Sequence, residues 1–235
     1  MSGMNCAACA HPLPETAKFC PECGHRVTGA DDGERRHATI LFSDLSGYTA
    51  LNECLDPEEV EAIMDRVKRA ATTVIARHGG IINQFVGDEV VALFGIPTAH
   101  RDDAVRAVRA ASELHREVRD IAAEVASRIG RALTMHSGIN TGLIVARRSD
   151  SRDGKFALTG DVVNTAARLL HLADKDEIVV SQDTWRDVAG EFEGVAGVAT
   201  EVRGKEKPIV PWRILGARTP TLQAQRPLIG RTEEV

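Results

Sequence analysis

An α+β layer fold of the ferredoxin-like kind, extended by C-terminal strands and preceded by a small metal-binding ribbon, is the architecture this sequence predicts. Three observations carry it. Between residues 37 and 216, strand and helix patterns follow the order β-α-β-β-α-β and then continue with shorter elements. A hairpin pattern sits at the middle of that order. Four cysteines, Cys6, Cys9, Cys20 and Cys23, crowd the start of the chain as two C-x-x-C pairs.

Taken in order, residues 1–27 form the cysteine module, and the polar stretch 28–36, "TGADDGERR", reads as a linker. "HATILFSD" is a strand ending at Asp44. "DPEEVEAIMDRVKRAATTVIARHGG" is a helix: Asp56 suits the cap, Pro57 the first turn, Glu58 and Glu59 the dipole, and Gly79-Gly80 end it. Its apolar stripe is Val60, Ile63, Met64, Val67, Ala71 and Val74, at helical spacing. "GIINQFVGDEVVALFG" has two apolar runs joined at Gly87-Asp88, a hairpin whose first arm is expected to return beside the first strand. A second helix covers about residues 101–125 by its periodicity. "ALTMHSGIN" and "GLIVAR" read as two strands and "GDVVNTAARLLHLA" as a helix. "EIVVS", the short helix "DTWRDVA" and two late strands complete the domain, and residues 217–235 form a tail.

Composition narrows the function classes. The chain has 235 residues, 43% of them hydrophobic and 27% charged, with a formal net charge of -5. That balance argues against a general nucleic-acid coat and allows only a local basic patch. No apolar run approaches the ~20 residues of a membrane helix, and no secretory leader is evident, so the expected location is the cytoplasm. There, paired cysteines point to metal before disulfide.

Cys6, Cys9, Cys20 and Cys23 supply four thiolates, enough for one closed tetrahedral Zn2+ site. The segment is too short to bury a core, so metal binding would be its main folding energy. A closed site is structural and leaves no open catalytic position. His11 and His25 are not needed as ligands, and the lone Cys54 reads as a small apolar residue.

Asp44 at a strand end and Asp88 in a Gly-Asp turn are each ordinary turn residues when taken alone. If the hairpin tip lies beside the first strand, the two carboxylates could hold a pair of divalent ions through oxygen ligands. Leu45 could add its backbone carbonyl. The "LSGYT" turn, with Ser46, Gly47, Tyr48 and Thr49, opens toward a helix and could seat phosphate oxygens on its N–H groups.

"ILFSDLSGYT", "FVGDEVVALFG", "SGINTG" and "LTGDVVNTAARL", in that order, resemble the class III nucleotidyl cyclases, and the likeness spans residues 37–216. It implies a head-to-tail homodimer with its active site in the cleft between two catalytic domains. Asp44 and Asp88 of one subunit would hold two Mg2+ or Mn2+ ions, and the ribose 3′-oxygen would attack the α-phosphorus and expel pyrophosphate. The partner would supply Asn164 to orient the ribose and Arg168 to neutralise charge on the α-phosphate. Their spacing of four puts both on one helical face. Lys205 is the nearest match to the family's triphosphate-binding base, with Lys207 behind it and Arg152 as a second candidate.

Two positions depart from the family pattern. Its adenylate cyclases usually read the purine with a lysine and with an aspartate or threonine. This chain has Gln84 and Ala157 at those places. Glutamine can donate or accept, so it pairs with either purine, and alanine offers no side-chain bond, which weakens discrimination. The resemblance implies ATP as substrate, with GTP or relaxed purine choice as the alternative. A catalytically weak pseudocyclase that only binds nucleotide is a further alternative. A zinc-ribbon nucleic-acid binder is disfavoured by the acidic balance and the absence of aromatic–basic interleaving. The ending "RPLIGRTEEV" is similar to the opening of a regulatory ATPase domain, as in soluble cyclase–ATPase proteins.

Overall fold

The computed structural model describes residues 4–6, 8–14, 17, 19–25, 34–129, 133–148, 156–200 and 208–219. In chain order its elements are β1 (Met4–Asn5), β2 (Pro12–Leu13), β3 (Glu34–Ser46), α1 (Tyr48–Cys54), α2 (Pro57–Arg77), β4 (Ile81–Val86), β5 (Glu89–Phe94), α3 (Asp103–Ile129), β6 (Thr134–Arg148), β7 (Phe156–Thr159), α4 (Asp161–Leu172), β8 (Ile178–Ser181), α5 (Gln182–Val188), β9 (Phe192–Ala196) and β10 (Pro211–Ala217). The first strand of the main domain, β3, begins at Glu34, inside the stretch expected to be linker. The tail beyond Thr219 and most of the linker lie outside the described residues.

The main sheet runs β4-β5-β3-β6-β8-β10-β9, with β7 paired to β6. Its first four strands have the ferredoxin-like order, second-third-first-fourth. The strand beside β3 is therefore β5, and β4, expected there, lies at the edge. Hydrophobicity explains the exchange. Val90, Val91, Ala92, Leu93 and Phe94 are all buried, so β5 needs cover on both faces and takes a central place. Ile81–Val86 carries Asn83 and Gln84 and tolerates the edge.

The helix α2 keeps the predicted stripe: Val60, Ile63, Met64, Val67, Ala71 and Val74 are all buried. Asp56 occupies the cap position, but its side chain makes no cap bond; its backbone carbonyl accepts from Glu59 and Val60 instead. Gly79 ends the helix in the left-handed region, φ 76. Cys54 is exposed at the end of α1.

The two strands expected around residues 134–147 are one continuous strand, β6. It pairs with β3 all the way from Glu34↔Ala146 to Ser46↔Thr134. Gly142 does not break it. A Cβ there would stand 2.8 Å from a Val162 methyl, so this glycine makes room for α4. Asn140 donates to the Val162 carbonyl at 3.0 Å and ties the start of α4 to the same strand.

The helices divide between the two faces. Residues of α1, α2, α3 and α5 share a core with Leu41, Leu45, Ala92, Phe94, Met135 and Ile139. On the other face, α4 packs over Ala38, Ile40, Phe42, Val91, Leu93 and Ile144. Strand alternation sorts these two sets, since successive residues of β3 point to opposite faces. A buried polar chain crosses the first core: His115 Nε2 lies 2.8 Å from Ser137 Oγ, which lies 2.7 Å from Ser43 Oγ. Burial drives the His115 pKa down to about 4, with Asp176 opposing the shift, so the imidazole is neutral at physiological pH.

Candidate active site

Asp44 stands two residues inside β3, opposite His136, not at the strand terminus. It is on the α4 face, the face of Ala38, Ile40 and Phe42. Asp88 lies in the tight β4–β5 turn behind Gly87, whose φ is 64. The register Ser43↔Val90 brings that turn level with Asp44. Their proximity appears in the electrostatics. Burial, and then the charge of Asp44, raise the Asp88 pKa. The same two causes raise that of Glu89.

Three carboxylates thus converge where the sequence reading placed two. Glu89 was missed because an acid beside a turn aspartate looks like solvated surface. His136 was missed too: its Nε2 is 3.9 Å from Asp44 Oδ2 and its Nδ1 is 3.0 Å from Ser46 Oγ. No spacing in the sequence could have announced it, because the contact is set by cross-strand register. Mutual repulsion among partly buried carboxylates is what a divalent cation relieves, and the all-oxygen donor set suits Mg2+ or Mn2+. Asp44 and Asp88 are the residues that would hold such ions.

The "LSGYT" stretch is more ordered than a loop. Leu45 is buried on the helix side. Ser46 closes β3, Gly47 caps α1 at φ 103, and Tyr48 and Thr49 form its first turn. Tyr48 packs against the main core, whereas Thr49 is exposed.

Gln84 and Ala157 are both exposed, on β4 and β7. Asn164 is exposed on α4 and Arg168 is half-buried one turn later. Their neighbours Thr165, Ala166, Leu169 and Leu170 are the buried side of that helix. Lys205, Lys207 and Arg152 lie outside the described residues.

The four ribbon cysteines come together with all Sγ atoms within 4.8 Å of one another. The Cys6–Cys23 and Cys9–Cys20 sulfurs are each 3.6 Å apart. A tetrahedron with Zn–S bonds of about 2.3 Å has edges of about 3.8 Å, so the geometry fits zinc. The two knuckles repeat each other. Cys6 and Cys20 donate to the carbonyls of His11 and His25, and accept from Ala10 and Gly24. Ala10 and Gly24 are both left-handed, φ 59 and 71.

Residues 32–215 match the family model described as the adenylate and guanylate cyclase catalytic domain. The chain belongs to this cyclase family. Among solved structures, the guanylyl cyclase Cya2 is 33% identical with a TM-score of 0.73, over 81% of this chain and 98% of that one. The adenylyl cyclase CyaB from P. aeruginosa is 26% identical with a TM-score of 0.74, over 79% of this chain and 96% of that one. An uncharacterised protein of Rhizobium meliloti (strain 1021) is 32% identical over 86% of this chain and 20% of its own length. The chain spans 18 to 32% of the curated relatives it matches first. No helix among the described residues of this cyclase domain is long and apolar enough to cross a membrane.

Proposed function

We propose that this domain cyclises a purine nucleoside triphosphate, ATP by preference, with release of pyrophosphate, at a site shared by two copies of the chain. The observation that carries the reading is the convergence of Asp44 and Asp88 at one end of the sheet. Bound Mg2+ or Mn2+, held by Asp44, Asp88 and the Leu45 carbonyl, would supply Lewis acidity toward the attacking 3′-oxygen and the leaving pyrophosphate.

The chain's own residues do the rest. Backbone N–H groups at the start of α1 hold phosphate oxygens, Asn164 orients the ribose, and Arg168 offsets charge growing on the α-phosphate. The exposure of Asn164 supports its use by a second copy. Lys205, or Lys207, and Arg152 are the candidates for the triphosphate. Gln84 accepts either purine and Ala157 imposes no second test, so GTP is the alternative substrate. A regulatory ATPase domain continuing from "RPLIGRTEEV" is part of the same reading.

Product assays with ATP and with GTP, each with Mn2+ and Mg2+, test the activity. Asp44→Asn and Arg168→Ala chains should each be inactive alone. Mixed, they should recover about a quarter of wild-type turnover, the share of intact sites under random pairing. No recovery on mixing, with both variants folded, would refute the shared site. Nucleotide binding without any cyclic product would select the pseudocyclase instead.

We also assign Zn2+ to the cysteine ribbon, with a structural role. Elemental analysis should find one zinc per chain, lost in Cys20→Ser. Because the ribbon's buried residues, Cys6, Leu13 and Cys20, cluster apart from the catalytic core, that loss should leave the main melting transition of the catalytic domain within a few degrees of wild type. A collapse of that transition would show instead that the ribbon is part of the cyclase fold.

A further inference from the structure

The purine-reading positions sit on strands that are not neighbours in the sheet. The strand β4 is at one edge, beyond β5 and β3, whereas β7 is paired to the far side of β6. Yet the side chain of one residue joins them. Asn83 Oδ1 accepts from the Phe156 N–H at 2.8 Å, and Asn83 Nδ2 donates to the Phe156 carbonyl at 3.2 Å. Both ends of the amide are used, on both backbone groups of one residue. Asn83 is only 6% exposed, and the residues following each partner in the chain are Gln84 and Ala157.

The local backbone is built for this. The β4–β5 ladder slips between Ile82↔Ala92 and Gln84↔Val91, which leaves Asn83 as an extra residue, a β-bulge. Ile82 and Phe85 both pack against the core on the helix-rich face, although they are three apart. Without the bulge, strict alternation would put Gln84 on the same side as Ile82. The bulge takes Gln84 out of that face and frees Asn83 to reach β7. Ile81 and Phe156 both pack against the cluster beneath α4.

We propose that Asn83 is a positioning residue of the purine subsite: its amide clips β7 to β4 and so fixes the separation of Gln84 and Ala157. The proposal rests on the cyclase reading above and adds to it a residue that touches neither base nor phosphate. Asparagine is required because the clip needs one acceptor and one donor at the same distance from the backbone. Aspartate supplies only the acceptor, and alanine neither. Without the clip, β7 is held by its ladder to β6 but no longer tied to β4, so the wall at the base loses its fixed width while the carboxylate end of the site, at Asp44 and Asp88, is untouched.

The test compares two probes on the full chain with saturating Mn2+. One is 3′-deoxy-ATP, which lacks the attacking hydroxyl; the other is inorganic tripolyphosphate, which lacks the base. Asn83→Ala is expected to weaken 3′-deoxy-ATP about tenfold, with tripolyphosphate affinity held within about twofold. If Asn83→Ala does not fold, Asn83→Asp, which keeps the bond from the Phe156 N–H, is read by the same ratio with an expected loss of about threefold. Equal weakening of both probes, or no weakening of either, overturns the clip. A wild-type chain that binds tripolyphosphate but neither 3′-deoxy-ATP nor 3′-deoxy-GTP overturns the cyclase reading itself, which is a different result.

Discussion

Asp44→Asn should lower cyclic nucleotide formation by about three orders of magnitude or more, because on the proposed mechanism it removes a charged ligand from the centre where charge develops. Asp88→Asn should do the same. The metal-free protein gives a second, opposite sign. Burial and the Asp44 charge raise the Asp88 pKa, so the folded state favours protonated Asp88 more than the unfolded chain does. Its contribution to stability is present at low pH and is lost as pH rises through the folded value. Wherever Asp88 is ionised, the neighbouring Asp44 charge therefore opposes folding, and deleting that charge relieves the strain. The Asp44→Asn chain should melt at or above the wild-type temperature without metal, and should gain less from added Mn2+. Product assays and paired melting curves with and without Mn2+ read both effects. An active Asp44→Asn enzyme, or an undiminished Mn2+ shift, would remove Asp44 from the metal site.

Gly138→Ala should be strongly destabilising. A Cβ at Gly138 would lie 2.1 Å from the Leu170 nitrogen, 2.4 Å from the Ala166 carbonyl oxygen and 2.8 Å from the Leu169 carbonyl carbon. Every one of these atoms is helix backbone, so no side chain can swing away. The helix α4 must lift from β6, breaking the packing of Ala166 and Leu170 over Ile144. A cost of about 3 kcal/mol or more is expected, at the upper end for overpacking. Denaturant midpoints measure it, and Gly190→Ala, where nothing lies within 4 Å, is the control. Activity should fall as well, since α4 carries Asn164 and Arg168. A Gly138→Ala protein as stable as wild type would mean that α4 does not seat on β6 this closely.

Much of this was legible in the chain itself. The apolar stripe of α2, its glycine stop and the central hairpin follow from local spacing, and local spacing is what periodicity reports. The four cysteines announce their own cluster because the C-x-x-C turn is a short-range object. Asp44, Asp88, Asn164 and Arg168 stood out through motifs that are also contiguous. What the sequence reading misplaced were features decided by partners distant in sequence. One was the place of β4 at the sheet edge, which depends on how much cover β5 needs. Another was the continuity of β6 through Gly142, a glycine kept for the approach of Val162.

The same boundary divides the site. Asp44 and Asp88 could be singled out from residue type and position, and Asn164, Arg168, Gln84 and Ala157 only through the resemblance of contiguous motifs to the cyclases. Tertiary structure alone decided that Glu89 crowds Asp44, that His136 stands across from it, and that Asn83 ties β4 to β7. Those relations come from cross-strand register and from a one-residue bulge. Register is settled by burying one face of a sheet against its helices, and that is a property of the packed whole.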